Sequence, residues 1–291
     1  MTPLLLGLLA LCLAWPIPSV LARWPALRRT PRAAVVLWQG VALAAVLAAL
    51  GAGLSMVTDR AWRHEPGPVG YVVALAAGAL TLVVLGQLLL SGHRLGTSLR
   101  ALRRAHREHV DLLARRDGGV LVLDHDLPLA YCLPGLSRSR VVVSRGALGR
   151  LTSDEFTAVL AHERAHLRAR HDLVLEAFGV LHAAYPRWVS SRAALEEVRL
   201  LVEVLADRAA ARVVGAPIVG RALVVLAEAR TPPAGLGLAP ASPGDSLVAR
   251  VRLLEDLGPH RWQAAIVSAA GVAVVALPTF FLALPWLESL A

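Results

Sequence analysis

Two histidines four residues apart, with a glutamate beside the first, occur in the segment AVLAHERAHLRARHD. They are His162, Glu163 and His166. Because residues i and i+4 of an α-helix lie on one face, the two imidazoles can offer nitrogen atoms to one Zn²⁺ at about 2.0–2.1 Å. Glu163 lies one residue further round, where it can take a proton from water on the open side of the metal. The spacing therefore predicts a zinc site with a carboxylate base.

The motif by itself does not establish this chemistry. A chain with 10 histidines in 291 residues contains H-E-x-x-H by chance in about one case in eighty. The alternative is a charged, solvated helix face, which fits the neighbouring polar residues Arg164, Arg168, Arg170 and His171. A third ligand is needed before the metal site becomes the better interpretation.

Glu203 is the candidate third ligand. It lies in a helix predicted over 190–215, which would begin at Ser190 or Ser191 and end at Gly215. The buried face of this helix is predicted from its apolar positions, Leu195, Val198, Val202, Leu205 and Ala209. Glu203 lies at the edge of that stripe, and a carboxylate there requires a cation or a hydrogen-bond donor.

Asp207 lies one turn after Glu203 on the same side of the helix. It could hydrogen-bond a zinc-ligating histidine from behind. The alternative for this pair of carboxylates is a solvated i, i+4 array with Arg199 and Arg208. The H-E-x-x-H motif one helix earlier favours the metal site.

The elements that must position these residues follow from local signals. Thr152 followed by Glu155 is a capping-box pattern, so the helix of the motif is predicted to begin at Thr152. A basic amphipathic helix is predicted over 95–116, ended by the sequence RDGG. Between these two helices, short β-like runs separated by turn-forming residues predict strands at 120–124, 129–133 and 140–144. A loop of low complexity is predicted over 231–244.

The composition indicates an integral membrane protein. The mean hydropathy is +0.58 and 56% of the residues are hydrophobic, which is too apolar for an ordinary soluble domain. Four runs are long enough to span a bilayer, at 3–22, 33–56, 69–91 and 262–286. The first also fits a cleavable signal peptide, but no basic residue precedes it.

These runs predict a mainly α, multi-pass protein with four transmembrane helices. We expect three spans in 1–92, a cytosolic α+β zinc metallopeptidase domain in 93–261, and a fourth span with a short extracellular tail in 262–291. The orientation follows from arginines beside the first and third spans, which the positive-inside rule places in the cytoplasm. Both termini are then expected outside the cell membrane, with no folded domain after the fourth span.

Charge and cysteine usage limit the other function classes. The net charge is +9, but the arginines cluster beside the spans, where anionic headgroups attract them. We therefore expect membrane lipids as partners and no direct nucleic-acid binding. Cys12 and Cys132 lie in different regions, so neither a disulfide framework nor a cysteine metal site is expected. The lack of charged residues inside the spans argues against a transporter.

The segment AVLAHERAHLRARHD followed by EVLADRAA resembles the gluzincin pattern H-E-x-x-H…E-x-x-x-D. HtpX-type proteases and BlaR/MecR-type antirepressor metallopeptidases share this pattern. The layout of spans and the segment AYCLPGLSRSRVVVSRGAL are closer to the BlaR/MecR type. The resemblance implies that Zn²⁺ is the cofactor, with ligands His162, His166 and Glu203, general base Glu163, and Asp207 supporting a ligand.

Two further implications come from the same resemblance. RVVVS at 140–144 would be the strand beside the cleft, which holds an extended substrate by strand addition. The segment SLVARVRLLEDL resembles a helix of the family, but the sequence does not predict what Arg250 contacts. Nor does it identify the donor that stabilises the oxyanion, for which the open candidates are His171, His182, Tyr185 and Arg250.

The function expected from these patterns is zinc-dependent hydrolysis of a cytosolic protein, such as a transcriptional repressor in a stress or antibiotic response. BlaR/MecR-type proteins carry an extracellular penicillin-binding sensor after the fourth span, and this chain ends at Ala291. A stimulus would therefore come from a sensor partner in trans, from the membrane, or from substrate availability. The alternatives are HtpX-like membrane quality control and a non-catalytic signalling protein with a structural zinc. The oligomeric state is not predicted.

Overall fold

The structure is a computed structural model that describes residues 2–61, 67–135, 139–185, 192–227, 243–258 and 260–288. Helices dominate this part of the chain, and four short strands form one sheet. The chain divides into two compact units. The first comprises 1–95, 177–198 and 260–291, and the second comprises 96–176 and 199–259. The segment 177–198, which the sequence analysis placed in the peptidase domain, thus groups with the apolar helices.

The first unit contains the apolar helices. They are α1 (Thr2–Ala14), α2 (Pro16–Leu21), α3 (Pro31–Ala61), the first part of α4 (Pro68–Leu113) and α11 (Arg261–Glu288). Helices α1 and α2 are interrupted at Trp15, because Pro16 has no N–H to continue the helical hydrogen bonds. Four helical segments of the described chain are long and apolar enough to cross a membrane, and the first of them joins α1 and α2. They are Thr2–Leu21, Pro31–Thr58, Pro68–Leu113 and Arg261–Ala283. Each overlaps one of the four predicted runs.

Helix α3 is central to the packing of this unit, because it contacts both α1 and α11. Trp38 and Ala44 of α3 are completely or almost completely buried. At the crossing with α11, Gly40 faces Gly271 so closely that a Cβ on Gly40 would overlap the Gly271 carbonyl. Small residues allow apolar helices to approach closely, and the contact depends on glycine at this point.

The second unit contains a four-stranded sheet in the order β1-β2-β4-β3. The strands are β1 (Arg115–Asp117), β2 (Val120–Leu123), β3 (Ala130–Leu133) and β4 (Arg140–Ser144). Strand β4 is internal: it pairs in parallel with β2 and antiparallel with β3. Three strands lie where the sequence predicted them. The fourth, β1, overlaps the last two residues of the helix predicted over 95–116. Gly118 and Gly119 adopt φ of 52° and 86° and form a tight turn from β1 to β2.

Helices complete the second unit around the sheet. They are α5 (Arg145–Arg150), α6 (Ser153–Ala169), the first turns of α7 (His171–Ala184), most of α8 (Arg192–Val214), α9 (Ala216–Ala227) and α10 (Pro243–Glu255). A common core joins α6, α8, α9 and β4 through Val159, Ala210, Val219 and Val143. Helix α8 ends before Gly215, as predicted. The predicted caps Ser190 and Ser191 and residues 231–242 of the predicted loop lie outside the described residues.

A buried ion pair in the first unit holds the beginning of α8. Glu197 is 6% exposed, and Arg28, from the 3₁₀ helix Pro25–Arg29, donates from Nε and Nη2 to its two carboxylate oxygens at 2.8 and 2.7 Å. A buried carboxylate requires such a partner. Helix α8 continues without interruption from Glu197 to Glu203 and Asp207.

Replacing Arg28 should therefore destabilise the protein. Arg28→Ala leaves the Glu197 carboxylate buried without its bidentate partner, and we expect a loss of about 2–3 kcal/mol in the free energy of unfolding. The measurement is the unfolding transition of the purified chain in detergent. Arg23→Ala removes an exposed arginine from the same segment and should leave the transition unchanged. Equal transitions for the two variants would contradict the importance of the ion pair.

Candidate metal centre

Helix α6 begins at the predicted capping box. The Thr152 backbone N–H donates to Glu155 Oε2 at 3.0 Å, and the Glu155 N–H donates to Thr152 Oγ1 at 3.3 Å. The hydrogen bond from the Thr152 backbone holds the pKa of Glu155 below its usual value. Arg221 of α9 also contacts Glu155, at 3.3 Å. The start of α6 is thus fixed by local hydrogen bonds and by the neighbouring helix.

Three predicted ligand residues converge between α6 and α8. The Nε2 atoms of His162 and His166 are 3.1 Å apart. The carboxylate oxygens of Glu203 lie 3.6 Å from His162 Nε2 and 3.5 Å from His166 Nε2. Ligand atoms about 2.0–2.1 Å from a tetrahedral zinc would be separated by about 3.3–3.4 Å. The donors therefore have the types and spacing that suit Zn²⁺, and their role as ligands stays a prediction.

Both imidazoles are held from behind through their other ring nitrogen. Nδ1 of His162 lies 2.9 Å from Oδ1 of Asp207, and Nδ1 of His166 lies 3.0 Å from Nδ1 of His171. Contacts at Nδ1 orient each imidazole ring, so that its Nε2 atom is directed toward the predicted metal position. The sequence predicted the position of Asp207 behind a histidine, but it left His171 as an open candidate for the oxyanion.

A sharp turn places His171 behind His166. Arg170 caps α6 in the left-handed conformation, with φ of 51°, which is uncommon for a residue with a side chain. Helix α7 begins immediately afterwards. Asp172 accepts contacts from Arg170 and from Arg103 of α4 at 3.3 and 3.5 Å. These ion pairs help to hold the turn that brings His171 back to the motif.

Arg250 of α10 connects the two carboxylates of α8. Its Nε and Nη2 each donate to Asp207 at 2.7 Å, and its Nη1 lies 3.0 Å from Glu203 Oε2. Asp207 is only 1% exposed and Arg250 is 7% exposed. A buried carboxylate and a buried guanidinium each require a charged partner. Sequence analysis missed this contact. Arg250 lies between Leu247 and Leu254 on the apolar face of α10, and an arginine on a buried face indicates that an acidic partner is buried nearby.

The electrostatics of the site favour a cation. Burial alone would lower the pKa of His162, but Asp207 and Glu203 raise it to about 9. Burial lowers the pKa of His166 to about 4. Burial would raise the pKa of Asp207, but the hydrogen bonds and charges of Arg250 and His162 together hold it below its usual value. The carboxylates that stabilise a proton on His162 would also stabilise a divalent cation that replaces it.

The candidate metal centre opens into a cleft of about 270 Å³. Glu163 lines this cleft together with His162 and Glu203, so the predicted base lies on its open side. The Cys132 thiol of β3 hydrogen-bonds the Glu163 carboxylate. Burial and the nearby Glu163 charge raise the pKa of Cys132, which keeps the thiol protonated. Sequence analysis placed Cys132 in the domain but did not predict this contact.

The strand beside the cleft differs from the one implied by the resemblance. Strand β4, which contains RVVVS, has partners on both sides and cannot accept a further strand along the paired residues. Strand β3 is at the edge of the sheet, and its first residue, Ala130, lines the cleft. In the described part of the chain, no strand pairs with the outer edge of β3. The prediction that β4 accepts a substrate strand was therefore wrong.

The four residues left open as oxyanion donors lie at different places in the structure. His171 contacts the Nδ1 side of His166, away from the paired Nε2 atoms. Arg250 is occupied by Asp207 and Glu203. His182 and Tyr185 belong to the first unit, where the Tyr185 hydroxyl lies 3.4 Å from the Val84 carbonyl oxygen.

The comparison with protein families agrees with this donor arrangement. The model of peptidase family M48 matches residues 100–256, which is more than half of the chain. The chain belongs to peptidase family M48. Peptidases of this family are zinc-dependent, so the family and the donor set point to the same metal. The M48 match contains every residue of the candidate metal centre.

The chain is also similar to a curated protease. The chain is 33% identical over 152 residues to a protease HtpX homologue of Aeropyrum pernix, and the match covers 48% of each chain. The chain thus spans about half the length of this relative. Its similarity and the apolar helices indicate a membrane protein. No solved structure matches the chain.

Asp207 should control how tightly the M48 site holds zinc. Asp207→Asn removes the charge that orients His162 while it keeps the side-chain size, and we expect zinc affinity to fall about 10–100-fold. Competition with a calibrated chelator measures this affinity directly. Asp117→Asn changes an exposed aspartate of β1 and should bind zinc like the wild type. An unchanged affinity in Asp207→Asn would contradict the orienting role.

His171 should have a related, smaller effect through His166. His171→Ala removes the acceptor behind the His166 ring, and zinc affinity should fall several-fold because the ring is less well oriented. His171→Gln keeps a neutral acceptor, and its affinity should lie between those of His171→Ala and the wild type. The same chelator competition tests both variants. If His171→Ala bound zinc as tightly as the wild type, the contact would have no positioning role.

Proposed function

We propose that the chain is a membrane-embedded zinc-dependent endopeptidase that hydrolyses a cytosolic protein. The observation that carries this proposal is the convergence of His162, His166 and Glu203 beside an open cleft that Glu163 also lines. Membership of peptidase family M48 supports the reaction type.

The open cleft favours a catalytic metal over a structural one. Structural zinc sites usually have four protein ligands and are closed, whereas catalytic sites have three protein ligands and one open position. In the described part of the chain, the candidate group consists of three residues. Glu203 keeps 36% of its side chain exposed, which is consistent with a site open on one side. A structural site also has no use for a base such as Glu163.

The residues around the cleft can divide the work of peptide hydrolysis. Zinc, when bound, would polarise the scissile carbonyl and lower the pKa of water toward about 7. Glu163 takes a proton from the attacking water and passes it to the departing amine nitrogen as the peptide C–N bond breaks. Asp207 and His171 keep the two imidazoles in position, and Arg250 limits the repulsion between Asp207 and Glu203.

The apolar helices support a position in the membrane. Four helices of the described chain have the necessary length and hydropathy. The arginines beside the first and third of them favour a cytoplasmic side for the second unit and an exterior position for both termini. Anionic headgroups would attract the same arginines, so membrane lipids are the expected partners. In this arrangement the substrate reaches the cleft from the cytoplasm.

Two observations bear on the substrate. The similarity to a protease HtpX homologue supports the alternative in which the substrate is a protein handled in membrane quality control. The resemblance of residues 129–215 to BlaR/MecR-type peptidases favours a transcriptional repressor, with a sensor partner in trans as a source of the stimulus. Both substrates are cytosolic proteins or protein segments, and both use the same catalytic residues. A search for Glu163-dependent fragments tests them together.

Glu163→Gln should separate zinc binding from hydrolysis. Because the amide that replaces the carboxylate cannot accept a proton, proteolysis should fall by at least about a hundredfold, while zinc content stays close to that of the wild type. Elemental analysis measures the zinc, and fragments that appear only with the wild type are identified by mass spectrometry. Glu255→Gln changes an exposed glutamate of α10 and should keep full activity.

The outcomes distinguish the competing hypotheses. Zinc in both proteins with proteolysis only in the wild type would establish the catalytic role of Glu163. Zinc in both without any proteolytic difference would favour a structural metal. Zinc in neither protein would contradict the assignment of His162, His166 and Glu203.

A further inference from the structure

A groove of about 580 Å³ lies between α3 and α11 in the first unit. The two helices approach closely where Gly40 faces Gly271, and both glycines line the groove. Its other lining residues are apolar, except Gln39 of α3 and Thr279 of α11. Both helices contain segments that are long and apolar enough to cross a membrane, so the groove is expected at the depth of the bilayer.

Gln39 is a polar side chain for which lipid offers no partner. It is exposed, and no hydrogen bond engages its carboxamide within the residues that the structure describes. The Thr279 hydroxyl, in contrast, donates to the Val275 carbonyl oxygen of its own helix. Gln39 lies about 10 Å beyond Arg32 along α3. Because acyl chains cannot replace the hydrogen bonds of water there, the occupant of the groove should supply a hydrogen-bonding group at this depth.

The exposed residues of α3 beside the groove have the spacing of a helix-packing seam. Val36 and Leu43 are exposed, and they lie three residues before and four residues after Gln39. Apolar residues with this spacing form the contact between two helices that pack side by side. On the facing helix, Gly271 and Ala276 line the groove, and such small residues let a further helix approach closely.

We propose that this groove is an interface for a second copy of the chain, in which α3 of each copy lies in the groove of the other. Two copies inserted in the same orientation are related by a two-fold axis along the membrane normal, so equal residues meet at equal depth. A carboxamide is both a donor and an acceptor. The Gln39 amide of one copy can therefore donate to the Gln39 carbonyl oxygen of the other and accept the reciprocal bond.

The second copy explains both features of the groove with residues of this chain alone. The apolar seam and the small residues provide the packing, and Gln39 provides the hydrogen bonds. A single polar residue in an apolar seam also fixes the register of the paired helices. The inference goes beyond the proposed peptidase function, because no residue of the candidate metal centre lines this groove.

Cysteine cross-linking at position 39 tests whether equal residues meet. Membranes of cells that express the full chain with Gln39→Cys are treated with a mild oxidant, and the products are separated without reductant. A disulfide-linked dimer should form, because the axis brings the two Cα atoms within about 7 Å. Gln87→Cys replaces the exposed glutamine of α4 and should give no more dimer than the wild type. The wild type measures the background from Cys12 and Cys132.

The strength of the association tests the role of the carboxamide. Labelled full chain is diluted into phosphatidylcholine vesicles, and the dimer fraction is counted by single-molecule photobleaching over a range of protein-to-lipid ratios. Gln39→Leu should weaken dimerisation about three- to tenfold, because the reciprocal hydrogen bonds are lost. Gln39→Asn keeps a carboxamide and should lie between Gln39→Leu and the wild type. Gln87→Leu is the matched control and should dimerise like the wild type.

Filling the groove is a second test, which leaves Gln39 unchanged. Ala276→Leu adds bulk to the α11 side of the groove and should weaken dimerisation, because the second helix can no longer approach closely. Ala273→Leu adds the same bulk at an exposed position of α11 that does not line the groove. Its dimer fraction should equal that of the wild type.

Three results would overturn this inference. A chain that stays monomeric at every protein-to-lipid ratio would assign the groove to lipid. Cross-links from Gln39→Cys to a different protein, but not to a second copy, would assign it to another membrane protein. Dimers that are as stable in Gln39→Leu and Ala276→Leu as in the wild type would place the interface elsewhere on the chain. Proteolysis that depends on Glu163 is measured separately and bears only on the proposed function.

Discussion

The buried carboxylate of Asp207 is the constraint on which the candidate metal centre depends. It is almost completely inaccessible to water, so it must be neutralised within the protein. Arg250 supplies the charge through two hydrogen bonds, and His162 lies against one of the same oxygens. Because these residues come from α8, α10 and α6, satisfying one buried charge requires three helices to adopt one arrangement. That arrangement also brings Glu203 to the two imidazoles.

The site is rigid behind the donors and open in front of them. Both imidazoles have their Nδ1 atoms in contact with another side chain, whereas their Nε2 atoms converge on the cleft. Fixed ligands cost little reorganisation when a metal binds, and an open side admits water and substrate. The cleft is also lined by apolar side chains of α9, including Val219, Leu223 and Leu226.

The ligand pattern and the family match indicate the metal but do not identify the substrate. His162, Glu163, His166, Glu203 and Asp207 fit the pattern predicted for a zinc peptidase centre, and the M48 match covers all of them. The same pattern is shared by quality-control and antirepressor proteases, so it does not distinguish their substrates. The apolar residues of α9 that line the cleft and the edge strand β3 lie outside this pattern. Substrate selection depends on such surfaces, because they contact the residues on either side of the cut.

The sequence by itself determined the features that depend on local spacing. Four apolar runs, the capping box at Thr152, the i, i+4 histidines and the end of α8 at Gly215 are all set by residues close together in the chain. Only the tertiary structure decided that Arg250 meets Asp207, that His171 lies behind His166 after the turn at Arg170, and that β3 rather than β4 borders the cleft. These contacts join segments that are distant in sequence or depend on strand order and an unusual φ value. Hydrophobic periodicity reports which face of an element is buried, but not which other element it meets.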